Sequence, residues 1–165
     1  MSHAKNKVNW CLKKAKEEMK SGKRHRGLIE VKSDKEMAKR HVKKAEHYLE
    51  ATLLLHEQFS DISASTTFYS IYHSLLAVLS KSGYESGNQE CTFALIYSLI
   101  EDGKIDLDSK IVDKIAFIDS EEESAIELRE KYQYGVELSM KEDIFNDNLE
   151  LAKKLLGKVK EIIEK

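Results

Sequence analysis

No proline occurs anywhere in this 165-residue chain, and glycine appears only seven times. Proline is the residue that a helix interior tolerates least, because its ring removes one hydrogen bond and clashes with the preceding turn. Its absence leaves glycine and polar clusters as the only breaks, so long helices can run on uninterrupted. The balance of 41% hydrophobic and 34% charged residues suits helices that are apolar on one side and solvated on the other. The length is enough to enclose one sizeable core. The sequence therefore predicts an all-α fold, an antiparallel up-and-down bundle of four to five helices with an extra N-terminal helix. A single domain spans 1–165, with 1–32 as the N-terminal helix and basic loop and 33–165 as the core bundle.

The periodicity places the helices. Val8, Leu12, Ala15 and Met19 form one apolar stripe over about Lys5 to Lys20, flanked by Trp10 and Cys11; Trp10 reads as a packing residue, with stacking on a base beside the basic loop as the alternative. Ser21-Gly22 ends it, and Lys23-Arg24-His25-Arg26-Gly27 reads as a loop. Ser33-Asp34-Lys35-Glu36 has the form of a capping box with Ser33 as the cap. The long helix that it opens carries Ala38, His41, Val42, Ala45, Leu49, Thr52 and His56. After a turn at Phe59 to Ser63, the most hydrophobic segment runs to Lys81 through Phe68, Ile71, Tyr72, Leu75, Leu76 and Leu79, so it is expected at the centre. Gly83 suits a left-handed C-terminal position, and a polar connection leads from it to a shorter helix holding Phe93, Ile96, Leu99 and Ile100. Asp102-Gly103 is a second stop. Ile111, Ile115, Ile118, Ala125 and Leu128 continue the helical pattern, interrupted around Asp119-Ser120. Ser139 to Glu142 reads as another capping box, opening a last helix on Ile144, Leu151, Leu155, Val159 and Ile162.

Charge is distributed unevenly. Residues 1–60 hold 15 Lys/Arg and 8 Asp/Glu, whereas the remainder hold 12 and 21. Such polarity orients a chain toward nucleic acid, or lets one half of a bundle attract the other. The opening stretch is basic but has no continuous apolar core, so it does not read as a signal peptide. The longest apolar run, near Leu75 to Leu79, is far too short to cross a bilayer. The expected location is the cytoplasm. Cys11 and Cys91 form no C-x-x-C pair and are read as two reduced thiols, one in or near the core, with a disulfide or a reactive thiol as the alternative.

The central segment Thr67-Phe68-Tyr69-Ser70-Ile71-Tyr72-His73-Ser74-Leu75-Leu76 resembles the third bundle helix of the HEPN family, in which an aromatic pair precedes a His-containing step. The helix before it, with Lys44-Ala45-Glu46 and Tyr48-Leu49, resembles the family's preceding helix. Leu128-Arg129-Glu130-Lys131-Tyr132-Gln133-Tyr134-Gly135 resembles a later family segment that reads Arg, three residues, Asp, Tyr, Gly. Gly83-Tyr84-Glu85-Ser86 and Asn88-Gln89-Glu90-Cys91 are further similar to small prokaryotic members. The ordered set covers about residues 35–163. The resemblance implies a four- or five-helix bundle, usually a homodimer, often encoded beside a minimal nucleotidyltransferase. Several members are metal-independent ribonucleases and toxins, whose motif is an arginine followed after four to six residues by histidine. Here Tyr134, Gly135 and Val136 follow Arg129, and no histidine occurs after His73. Gln133 also stands where the family pattern has aspartate.

Metal-independent RNA cleavage needs a base for the 2′-hydroxyl proton and a cation for the phosphorane. Arg129 is the candidate cation, with Tyr134 or a remote His73 as the candidate base, although a free phenol titrates near ~10. Beside this stands a structural reading, in which Arg129 makes an ion pair or cap and, in a regular helix, faces Tyr132 and Gln133 rather than Tyr134. Tyr69, Tyr72, His73, Arg129, Gln133 and Tyr134 make up the candidate ligand-binding set. An aromatic core stripe is the alternative for Tyr69, Tyr72 and His73. Lys20, Lys23, Arg24 and Arg26, with His25, are the candidate contacts to nucleic-acid phosphate. His41, His47 and His56 share one helix, but no H-E-x-x-H or E-x-x-H spacing occurs, so neither metal nor cofactor is expected. Glu121-Glu122-Glu123 reads as a solvated helix start. Three functions remain open: a non-catalytic module binding nucleotide, RNA or a partner protein; a toxin-type endoribonuclease; and the helical partner of a nucleotidyltransferase.

Overall fold

The first helix, α1 (His3–Lys20), begins where Ser2 accepts a hydrogen bond from the Lys5 amide, and buries Val8, Cys11 and Ala15 on one side. It belongs to a computed structural model that describes residues 1–116 and 122–165. Six further helices follow among the described residues: α2 (Lys35–Leu55), α3 (Ser60–Ser82), α4 (Gln89–Glu101), α5 (Ser109–Ala116), α6 (Ala125–Tyr134) and α7 (Glu142–Glu164). Ile118 and Asp119-Ser120, which the sequence places at a helix interruption, lie outside the described residues, as does Glu121. The chain is an all-α bundle, and none of its described helices is long and apolar enough to cross a membrane.

As its hydrophobic sequence predicts, α3 is central, touching α2, α4, α6 and α7. Phe68, Ile71, Leu75, Val78 and Leu79 are buried along it. The seam with α2 is built differently, from small residues. Ala38, Ala45 and Thr52 recur every seventh position on α2 and are fully buried, opposite Ser63, Thr67, Ser70 and Ser74 of α3. Small side chains let the two backbones approach, and the buried hydroxyls are satisfied locally. Ser70 donates to the carbonyl of Ala45 at 2.8 Å, and the hydroxyls of Thr52 and Thr66 meet at 2.7 Å. Gly83 ends α3 in the left-handed region, with φ of +83°.

Five features differ from the sequence reading. First, residues read as loop pair as a two-stranded antiparallel ribbon, β1 (Leu28–Glu30) with β2 (Tyr84–Ser86), in the register Leu28 to Ser86. Strands of three residues carry too little alternation to signal themselves. Secondly, Asp34 caps α2 by accepting from the Met37 amide at 2.8 Å, while Ser33 donates instead to the Lys81 carbonyl. Thirdly, α7 starts after Lys141 with no side-chain cap, so Ser139 is not part of a capping box. A capping box does open α6, between Ser124 and Glu127. Fourthly, Cys11 and Cys91 are joined in a disulfide rather than left as thiols. They lie 80 residues apart, on the facing buried sides of α1 and α4, so nothing local in the sequence marks the pair. Fifthly, Trp10 is half exposed rather than packed in the core.

Candidate functional site

The close α2–α3 seam brings one aromatic face of each helix to the same surface. On α2, His41, Lys44 and Tyr48 fall at spacings of three and four, and on α3 Tyr69 and His73 fall four apart, so each set shares a side. His41 Nδ1 and His73 Nδ1 lie 3.0 Å apart, one donating and the other accepting. The Tyr48 ring stacks on His73 at 5.7 Å between centroids and meets Tyr69 at 5.4 Å. The Lys44 ammonium sits 5.1 Å over the Tyr48 ring. All four rings are half-buried.

Burial, first, and then the positive charge of Arg40 push the His41 imidazole below its usual range. Burial, then His41, then Lys44, push His73 down to about 4. Both rings are therefore neutral near pH 7, and in the shared Nδ1–Nδ1 hydrogen bond one ring carries its proton on Nδ1 and the other on Nε2. Between 6.5, the ordinary histidine value, and about 4, the unfolded chain takes up a proton that folded His73 refuses. Stability is then full above pH 6.5 and falls as the solution is acidified toward 4. Because the ring is only half-buried, solvent screening reduces the expected loss to about 1 kcal/mol. Urea melts across this range should show the loss, and His73→Phe, which keeps a ring against Tyr48, should reduce it to the part that His41 contributes.

Phe68 carries the surface toward α6. It is buried at 2% exposure, meets Tyr69 edge-on at 5.8 Å and stacks on Tyr72 at 6.1 Å. The Arg129 guanidinium lies over the Phe68 ring, 4.7 Å from its centroid. Arg129 also reaches Gln133 at 3.4 Å and Glu130 at 3.7 Å, and faces Gln133 as regular helical spacing predicts. Its side chain is only 14% exposed, and its Nε is buried with no hydrogen-bond partner. A half-satisfied buried guanidinium is an uncommon and costly arrangement.

The remaining sequence candidates separate from this row. Tyr72 turns to α4, where its hydroxyl meets Thr92 at 3.2 Å, and burial raises its phenol above the usual range. Tyr134, the last residue of α6, is 74% exposed. His73 contacts His41 and Tyr48, and Arg129 contacts Phe68, Gln133 and Glu130, so the two candidates sit at opposite ends of the aromatic row. Gln133 lines a groove of about 330 Å³ with Ile62, Ser65, Tyr132, Val136 and Leu138.

No family model matches the chain, and no curated protein matches it.

In the basic segment, Arg26 is committed to Glu18 through both its amide and Nε, and His25 Nε2 lies 3.1 Å from Glu85. Lys20, Lys23 and Arg24 make no ion pair among the described residues, and neither do Arg40 and Lys43 beside the aromatic row. No group of three or more metal-ligating side chains occurs among the described residues. What the row offers is flat ring faces bordered by cations and ending in an underused guanidinium. That combination suits a planar, negatively charged ligand. His41, Tyr48 and Phe68 are the members that sequence reasoning left out. The seven-residue step from His41 to Tyr48, with Lys44 between, was the available signal.

Proposed function

We propose that this chain is a non-catalytic, HEPN-like helical module that binds a nucleotide or a short stretch of RNA along the α2–α3–α6 surface. The observation carrying this reading is the unbroken series of ring contacts from His41 through His73, Tyr48, Tyr69 and Phe68 to Arg129. A base stacks on Tyr48 or Tyr69, and its phosphate is drawn to Arg40 and Lys44 or to the terminal nitrogens of Arg129. The imidazoles act as neutral faces rather than as cations. The resemblance drawn from Tyr69, His73 and Arg129 supports the same surface, and the missing histidine after Arg129 supports binding without cleavage.

The test is calorimetric titration with nucleoside monophosphates and a short single-stranded RNA. Tyr69→Ala and Arg129→Ala should each weaken binding about ten-fold, in keeping with the loss of one stacked base or one charge-assisted contact. Unchanged affinity in both variants would sink the reading. Metal-independent cleavage of the RNA, lost in Arg129→Ala, would replace it with the ribonuclease.

A further inference from the structure

Trp10 is the chain's only tryptophan, and it stands on the outward side of α1. The helix buries Val8, Cys11 and Ala15, and at 3.6 residues per turn Trp10 points away from that stripe. Its 50% exposure is unusual for the largest side chain in a protein with a well-filled core. Lys7 and Lys14 place ammonium groups 4.4 and 5.0 Å from its ring centroid. Three residues before and four after, the two lysines flank Trp10 along the helix, and half of the side chain remains exposed. Lys7 is held in place by Glu90 at 2.9 Å, so it acts as a fixed strut behind the ring.

Cations continue along the helix from this ring. Lys14 follows, Lys13 lies 3.9 Å from Glu17 in a loose, exposed pair that a phosphate can displace, and Lys20, Lys23 and Arg24 lie beyond without ion pairs among the described residues. From Trp10 to Lys20 the axis rises roughly 15 Å. A half-exposed ring followed by cations is the pattern that takes a stacked base and the phosphates after it. An anionic bilayer fits less well. The other side chains around Trp10 on that side are Asn6, Lys13, Lys14 and Glu17, so there is no apolar face to sink among acyl chains.

We infer that the outer side of α1 is a second binding site, for single-stranded nucleic acid, with Trp10 stacking on one base and Lys13, Lys14 and the Lys20–Arg24 segment gripping the backbone. This site does not depend on the α2–α3 row.

The lone tryptophan makes the test direct. Titrating the full chain with a short oligouridylate should quench Trp10 fluorescence. Three phosphate contacts would weaken binding roughly 20-fold between 50 and 200 mM salt. Trp10→Ala should lower oligonucleotide affinity about ten-fold while leaving mononucleotide binding unchanged. Trp10→Phe should restore part of it. In Arg129→Ala the quench should persist, so failure of the α2–α3 site and failure of this one are told apart. An unquenched tryptophan together with a Trp10→Ala affinity within two-fold of the parent would overturn the inference. So would a blue-shifted signal with phosphatidylserine vesicles and none with the oligonucleotide, which would make α1 a membrane contact.

Discussion

Replacing Cys11 and Cys91 together by alanine should lower the free energy of unfolding by about 3–4 kcal/mol. The bond joins positions 80 residues apart, so in the unfolded chain it closes a long loop and removes much conformational freedom. Both sulfurs are fully buried between α1 and α4, where the alanines also leave a small cavity. In a chain of this size each kcal/mol corresponds to roughly 2–4 °C, so the melting temperature should fall by about 10 °C. Reductant should bring the parent protein to the same value and leave the double variant unmoved. A parent melt that ignores reductant would mean that the core holds α1 without the covalent link. Lys5 with Asp102 and Lys7 with Glu90 also tie α1 to α4, but exposed pairs add little.

Phe68→Ala should cost about 3–5 kcal/mol, as expected for emptying a buried aromatic site. The ring is the joint on which Tyr69, Tyr72 and Arg129 all rest, so a single cavity would loosen contacts on α3 and α6 at once. Phe68→Leu separates packing from recognition. Leucine fills most of the volume, and stability should fall by only about 1 kcal/mol. The guanidinium nevertheless loses its aromatic platform, so ligand affinity should drop nearly as far as in Arg129→Ala. Equilibrium urea unfolding and ligand titration on the two variants check both halves. Equal ligand affinity in Phe68→Leu and the parent would show that the cation–π contact does not position Arg129.

The helices were legible because burial repeats with the helical period. The stripe Phe68, Ile71, Tyr72, Leu75, Leu76 and Leu79 placed α3 at the centre, and Gly83 marked its end. What was illegible depends on distant partners. The Cys11–Cys91 bond and the β1–β2 ribbon join segments more than fifty residues apart, and no local pattern announces either. The α2 cap was misplaced by one step, because Ser33 and Asp34 offer equally good acceptors and only the chain's path toward Lys81 decides between them. At the site, Tyr69, His73 and Arg129 could be named from the sequence, but not what joins them. His41 and Tyr48 lie on another helix, and their meeting with His73 depends on the narrow seam that Ala38, Ala45, Thr52 and Ser70 allow.

The Cys11–Cys91 link also has a topological effect. It makes residues 11–91 a closed covalent ring, and the whole α2–α3 hairpin lies inside it. A protease that nicks the exposed turn at Glu57 to Phe59 would therefore yield two pieces still threaded to each other by sulfur. While the ring stays shut, the aromatic row keeps its two halves on one molecule.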